Sequence, residues 1–176
     1  MKPKQNSKIR WQLFPSNKVP NNFLLELIQV FEHNFSQINS ANNVGQKSDD
    51  ALAKLLPDLQ KIGYKVEVNK THAGKIRIPV LFSENGKIEK SFEADAFHAA
   101  NKIVLEVEAG RAVANYQFLK DIFQACLMND VDYCCIAVRQ SYKDSNDFEK
   151  VINFVQTIYA SERLKLPLQG ILIIGY

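Results

Sequence analysis

Apolar residues repeat along the chain with two different spacings, and these spacings predict its helices and strands. From Asn22 to Ile38 they recur about every 3.6 positions, which is typical of an amphipathic helix. A second helix is predicted from Ser48 to Gly63, and Pro57 inside it predicts a break or kink. The same helical spacing predicts two more helices, at 113–128 and from Asn146 onward.

Alternating and continuous apolar runs predict six strands. Asn85-Gly86 is a strong two-residue hairpin signal, and Pro79 indicates an edge strand or a bulge. A second hairpin is predicted with its turn at 98–101. The resulting order, α-α-β-β-β-β-α-β-α-β, predicts a mixed α/β sheet with helices packed on its faces. The strands are predicted at 64–68, 77–82, 87–97, 102–108, 133–138 and 170–174.

Composition places the chain among ordinary globular proteins. Its 176 residues are 46% apolar and 23% charged, which fits a single domain. No apolar run approaches the roughly 18–20 residues of a membrane span, and the first residues lack the apolar core of a signal peptide. We therefore expect a cytoplasmic protein. The three cysteines, Cys126, Cys134 and Cys135, have no metal-binding spacing and are expected to be reduced core residues.

The net charge of +3 is unevenly distributed. Residues 1–20 contain five basic residues and no acid, which leaves 17 basic against 19 acidic residues in the remainder. We therefore divide the chain into a basic N-terminal arm, 1–20, and a single α/β domain, 21–176. Such an arm is compatible with nucleic-acid contact and equally with a solubilising tail.

Four acids are predicted to lie close together on the second hairpin. Glu106 and Glu108 are two positions apart on one strand, so their side chains point to the same face. Glu93 and Asp95 have the same spacing on the preceding strand, and a turn near 99–100 places Glu93 roughly opposite Glu106. Carboxylates that close repel one another unless a cation lies among them. Oxygen ligands without thiolates or a histidine pair favour Mg²⁺ or Mn²⁺, which polarise phosphodiesters.

A second interpretation needs no metal. The four acids also fit the solvent-facing side of an antiparallel sheet, where such alternation is routine. Their partners would then be Lys87, Lys90 or Lys102.

The run Asp95-x10-Glu106-Val107-Glu108, on a strand hairpin leading into a helix, resembles the PD-(D/E)XK nuclease superfamily. It is most similar to the type II restriction endonucleases whose signature ends in E-x-E or E-x-Q. The resemblance covers residues from about 48 to 138, which follow the order α-β-β-β-α-β of the superfamily core. It implies a restriction-endonuclease-like fold and a Mg²⁺-dependent endonuclease that cleaves DNA as a homodimer.

The resemblance also implies a role for each matching residue. Asp95 and Glu106 would be the metal-binding acids, and the carbonyl of Val107 would be a backbone ligand. Glu108 stands where most members have lysine and would act as the general base. Two departures, this missing lysine and the missing proline before Asp95, leave open a catalytically inactive nucleic-acid-binding relative. In this superfamily an acid from an early helix sometimes completes the site, and here Glu32 and Asp49 are the candidates.

Three basic residues near these acids are candidates for contacting the nucleic-acid backbone. Lys70 and Lys75 lie in the basic loop 69–75, which follows a predicted strand. Arg111 follows Gly110 just before a predicted helix, where it could face a phosphate or form a surface ion pair.

Overall fold

The computed structural model describes residues 9–43, 45–110, 112–141 and 145–176, which form both strands and helices. None of the described helices combines the length and apolar composition needed to cross a membrane. In chain order the elements are β1 (Arg10–Phe14), α1 (Asn22–Ile38), α2 (Ser48–Lys61), β2 (Lys65–Val66), β3 (Ile76–Phe82), β4 (Ile88–Ala94), β5 (Ala96–His98), β6 (Ile103–Glu108), α3 (Gln117–Leu127), β7 (Tyr133–Val138), α4 (Asp147–Ser161) and β8 (Gly170–Gly175).

The central sheet has six strands in the order β1-β8-β7-β6-β5-β2. Its middle strands β6, β7 and β8 are parallel, and the outer strands β1, β5 and β2 pair antiparallel with their neighbours. The hairpin β3–β4 forms a separate two-stranded sheet. The predicted mixed α/β class is therefore confirmed.

Two apolar cores lie on opposite faces of this sheet. Helices α1 and α2 pack against one face, over alternate residues of β6 such as Leu105 and Val107. Helices α3 and α4, together with the β3–β4 hairpin, pack against the other face, over Val104. Cys134 and Cys135 are both fully buried, one in each core, and all three cysteines are free thiols, as expected. Because side chains alternate along a strand, Glu106 and Glu108 share the α3 face with Val104.

Several local predictions are confirmed. Helix α1 has the predicted bounds, and Asn21 caps it by accepting the N–H of Leu24 at 3.2 Å. Gly63 has the positive φ of +94° that ends a helix after its last turn. Pro79 lies at a register shift in β3, as expected of a bulge.

A break or kink was expected at Pro57, and the expected break is wrong. The helix continues through the proline to Lys61. Leu55 and Leu59 on either side of it are fully buried, and this packing offsets the one backbone hydrogen bond that proline cannot donate.

Three other predictions differ from the structure. Part of the predicted basic arm, Arg10–Phe14, is the edge strand β1 and pairs with β8. The predicted strand 87–97 is two strands, β4 and β5, which separate at Asp95 and join different sheets. Helix α3 begins at Gln117 instead of 113, because Asn115 and Tyr116 both adopt left-handed backbone conformations, with φ of 56° and 53°.

Leu105 offers a direct test of the core. It is fully buried in β6, between β5 and β7. Leu105→Ala is expected to lower the free energy of unfolding by about 2–5 kcal/mol, measured by urea denaturation. Val19→Ala, at a position that is 88% exposed, serves as the control and should change it by less than about 0.5 kcal/mol. Equal effects of the two substitutions would contradict this core assignment.

Candidate active site

Three acids from three neighbouring strands form a row across the sheet. Strand β2 pairs with β5 up to Val66 and Ala96. One position further, the N–H of Glu67 donates to the carbonyl oxygen of Asp95 at 2.7 Å, so these two acids are neighbours. On the other side, β5 and β6 are aligned so that Asp95 lies beside Glu106. We call Glu67, Asp95 and Glu106 the acid row.

The side chain of Asp95 is held by the backbone of β6. Its Oδ2 accepts the N–H of Val107 at 2.7 Å. The carboxylate thereby occupies the place of a strand partner at this edge of β6, which explains why the β5–β6 ladder ends here. Asp95 also lines an open cleft. The N–H and the C=O of one residue point to the same side of a strand. Because the Val107 N–H faces Asp95, the Val107 carbonyl faces this edge of β6 as well.

Two further acids extend the row toward α3. Glu108 lies two positions beyond Glu106 on the same face of β6, and the hydroxyl of Tyr176 donates to its carbonyl oxygen at 3.0 Å. Asp121, on the buried face of α3, lies close enough to Glu108 that its carboxyl group raises the pKa of Glu108.

Asp121 is the least satisfied of these acids. It is only 4% exposed, and its Oδ1 accepts the side-chain amide of Gln117 at 3.0 Å. Its Oδ2 is buried and has no hydrogen-bond partner among the described residues. An unsatisfied buried oxygen is costly, so this atom indicates that a donor or a cation belongs in the space it faces.

Burial and mutual repulsion raise the pKa of four of these carboxyl groups. Burial raises the pKa of Asp95 to about 6, although the Val107 N–H opposes the shift. Burial, followed by the charge of Asp95, raises the pKa of Glu106 well above its ordinary range. Burial and the neighbouring Asp121 raise the pKa of Glu108 to about 8. Burial also raises the pKa of Asp121 to about 6. At neutral pH the site therefore holds protons that a cation would displace.

Two lysines face this cluster. The ammonium of Lys70 lies 2.7 Å from Glu67 Oε1 and 3.1 Å from Asp49 Oδ1. Lys120, one helical position before Asp121, is exposed and lines the same space. Their charges oppose the raised pKa values only in part.

The acids surround an open cleft of about 450 Å³. Helix α3 presents one face to it, because positions 117, 120, 121 and 124 follow helical spacing. The other walls come from the start of α2, the end of β2, β4 and β6. The residues that line it are Ser48, Asp49, Glu67, Lys70, Ser91, Phe92, Glu93, Ala94, Asp95, Glu106, Val107, Glu108, Gln117, Lys120, Asp121 and Gln124.

The donor set fits a hard divalent cation by its chemistry. All the side-chain donors are carboxylate oxygens, which Mg²⁺ and Mn²⁺ prefer. In the described part of the chain, no three histidine, cysteine, aspartate or glutamate side chains already stand as a preformed metal site. The set implied by the resemblance contains only two carboxylates, Asp95 and Glu106, with the Val107 carbonyl. Mg²⁺ commonly binds through one or two carboxylates and keeps several waters.

Asp95, Glu106, Val107 and Glu108 therefore meet in one cleft, but the predicted alignment of Glu93 with Glu106 is wrong. Glu93 leaves the central sheet with β4, where it pairs with Arg77 in the ladder and forms ion pairs with Lys75 and Arg77. For this acid the solvent-facing interpretation holds, with different lysine and arginine partners from those expected. Its ion pair with Lys75 lowers the pKa of its carboxyl group.

The other predicted residues have mixed positions. Lys70 lies at the cleft, and Lys75 lies beside it on the β3–β4 side, bound to Glu93. Of the two early-helix acids, Asp49 lines the cleft and Glu32 does not. Arg111 lies outside the described residues.

Two members of the cluster escaped prediction from the sequence. Glu67 ends a short alternating strand, where an acid normally faces solvent. Asp121 gave one signal, since it falls on the apolar stripe of α3 between Phe118 and Ala125. A lone carboxylate on the buried face of a helix is unusual and marks a position to inspect.

No protein-family model matches this chain, and no curated protein matches its sequence. The class that the fold and the site define is a mixed α/β protein with an acidic cleft at one edge of its parallel strands.

Proposed function

We propose that this protein is a Mg²⁺- or Mn²⁺-dependent endonuclease of restriction-endonuclease-like fold that hydrolyses phosphodiester bonds in DNA. The observation that carries the proposal is the convergence of four acids with raised pKa values in one open cleft. Asp95, Glu106 and Glu108 come from the sheet and Asp121 from α3. Like charges gathered in a partly buried site destabilise the fold unless a cation binds there.

The order of elements around the cleft supports the same proposal. Helix α2, a run of strands, helix α3 and strand β7 follow one another as in the superfamily core that the sequence resembles, with five strands, β2 to β6, where that core has three. The acids lie where the strands meet α3, which matches the position of the motif in that core.

Each residue has a separate task in the proposed reaction. Asp95 and Glu106 would hold the ion with the carbonyl of Val107. When bound, the ion polarises the scissile phosphate and makes a nearby water easier to deprotonate. Glu108 accepts the proton of the attacking water at its carboxylate. With its pKa at about 8, Glu108 is protonated in the metal-free site at neutral pH, and beside a bound cation it would lose this proton and be available as the base.

Glu108 can be tested apart from binding. Glu108→Gln is expected to lower kcat for DNA cleavage about a hundredfold or more, because the amide cannot accept the proton. Its affinity for DNA should change little. Single-turnover cleavage and fluorescence anisotropy measure the two effects separately. If Glu108→Gln retains the wild-type kcat, Glu108 is not the general base.

The proposed substrate is duplex DNA bound by a homodimer. Lys70 and Lys75 stand at and beside the cleft, where they would contact phosphates, and Arg111 is proposed for the same task. Two copies would place one cleft on each strand.

The primary test is Mg²⁺-dependent nicking or linearisation of supercoiled plasmid by the purified protein. Activity that requires the divalent ion and is lost on chelation supports the proposal. The second candidate is a nucleic-acid-binding relative without catalysis, which the replacement of the usual lysine by Glu108 favours. Salt-dependent DNA binding without cleavage, across many substrates and with Mg²⁺ or Mn²⁺ present, would establish that candidate instead.

A further inference from the structure

Lys70 holds a specific place in the acidic cleft. Its ammonium lies 2.7 Å from Glu67 Oε1, at the outer end of the acid row, and 3.1 Å from Asp49 Oδ1. The Glu67 side chain is only 7% exposed, whereas that of Lys70 is 60% exposed. A buried carboxylate is thus neutralised by a cation whose other side faces the open cleft.

The loop that carries Lys70 is held in shape by its own hydrogen bonds. Asn69 Oδ1 accepts the N–H of Thr71 at 2.9 Å, and the N–H of Val68 donates to the carbonyl of Gly74 at 3.1 Å. A Cβ added at Gly74 would lie 2.2 Å from Asn69 Oδ1, so the turn has no room for a larger residue there. The position of Lys70 therefore follows from a compact turn as well as from its acidic partners.

The cluster contains more carboxyl groups than Lys70 contacts. Beyond the acid row lie Glu108 and Asp121, and the Oδ2 atom of Asp121 is buried in the cleft wall without a partner among the described residues. This atom is an independent sign that the cleft takes a ligand besides Lys70.

We propose that Lys70 is the resident counter-ion of the acid row in the metal-free protein, and that it transfers to the DNA phosphate when a divalent cation enters. The inference rests on the proposed function and adds a coupling between the two ligands. A divalent ion beside Asp95 and Glu106 repels the Lys70 ammonium and competes with it for the acid row. A phosphate bound at the ion then offers Lys70 a new anionic partner at the cleft mouth.

Isothermal titration calorimetry with MnCl₂ alone tests whether Lys70 is the counter-ion of the acid row. Lys70→Ala is expected to bind Mn²⁺ at least about fivefold more tightly than wild type, because a competing positive charge is gone. Lys70→Gln keeps a hydrogen-bond donor for Glu67 without the charge, and it should show the same gain if the alanine variant does not fold. Lys61→Ala is the matched control, since Lys61 forms a comparable pair with Asp58 outside the cleft and should leave the Mn²⁺ affinity unchanged.

Fluorescence anisotropy with labelled duplex DNA tests whether Lys70 transfers to the DNA phosphate. Ca²⁺, which takes the same oxygen ligands, is used as the ion. Ca²⁺ is expected to strengthen DNA binding by wild type about tenfold more than binding by the Lys70 variants. Lys61→Ala should retain the wild-type gain.

The outcomes separate this inference from the function it rests on. If wild type binds Mn²⁺ as tightly as both Lys70 variants, Lys70 is not the counter-ion, and the proposed metal site is unaffected. If the variants bind Mn²⁺ more tightly, but Ca²⁺ strengthens their DNA binding as much as it does that of wild type, the proposed transfer of Lys70 to the phosphate is wrong. Mn²⁺ binding by the variants alone would support the counter-ion role, since Lys70 then blocks the site. If neither wild type nor variants bind Mn²⁺, the proposed metal site fails and this inference fails with it.

Discussion

Asp95→Asn is expected to reduce Mg²⁺-dependent DNA cleavage by about a thousandfold or more, which corresponds to roughly 4 kcal/mol of lost transition-state stabilisation. The carboxylate has two oxygens: Oδ2 accepts the Val107 N–H, and Oδ1 is the proposed ligand of the ion. Asparagine has a single oxygen. When that oxygen accepts the Val107 N–H, an NH₂ group faces the ion, and the fold is kept while the ligand is lost.

Glu93→Gln is the matched control for this experiment. Glu93 is an acid two positions earlier in the chain, but it is exposed on β4 and paired with Lys75 and Arg77. Plasmid cleavage by this variant should stay within about twofold of wild type. Comparable losses in Asp95→Asn and Glu93→Gln, or full activity in Asp95→Asn, would contradict the assignment of Asp95. Circular dichroism and DNA binding verify that both variants fold.

Glu106→Gln is expected to stabilise the metal-free protein at pH 8 by about 1–3 kcal/mol while abolishing cleavage. The folded-state pKa of Glu106 is raised well above its ordinary value of 4.5. Between these two values the folded protein binds more protons than the unfolded chain, so stability falls as the pH rises through this range. Glutamine has nearly the same size and does not ionise, so it removes this dependence.

Thermal unfolding in the presence of a chelator measures the effect. The gain in Tm should be largest near pH 8 and should disappear about one pH unit below the ordinary pKa of 4.5, where Glu106 is protonated in both states. Mn²⁺ should raise the Tm of wild type at pH 8, because an ion that binds only the folded state stabilises that state. It should have little effect on Glu106→Gln, which lacks one of the proposed metal-binding carboxylates. Glu93→Gln, with its carboxylate exposed and ion-paired, should give no stabilisation. A Glu106→Gln protein that is less stable than wild type at pH 8 would show that the charge is already neutralised by the fold.

Much of the fold could be predicted because its signals are local. The apolar stripe of α1, the Asn85-Gly86 turn between β3 and β4 and the continuous apolar run of β7 each depend on residues close in sequence. The break between β4 and β5 could not be predicted in the same way. It arises because the Asp95 side chain takes the place of a strand partner for Val107, and Val107 is 12 residues away.

The candidate site could likewise be predicted only where its signals are local in the sequence. By itself the sequence determined that Glu106 and Glu108 share one face of a strand, since side chains alternate along an extended backbone. It also determined that the donors are hard oxygens. Only the tertiary structure decided which acids meet there. The strand register placed Asp95 between Glu67 and Glu106, and it put Glu93 in the separate β3–β4 sheet, while the packing of α3 brought in Asp121. Register and helix packing depend on contacts between distant segments, and the same contacts exclude the water that would otherwise keep these carboxyl groups ionised.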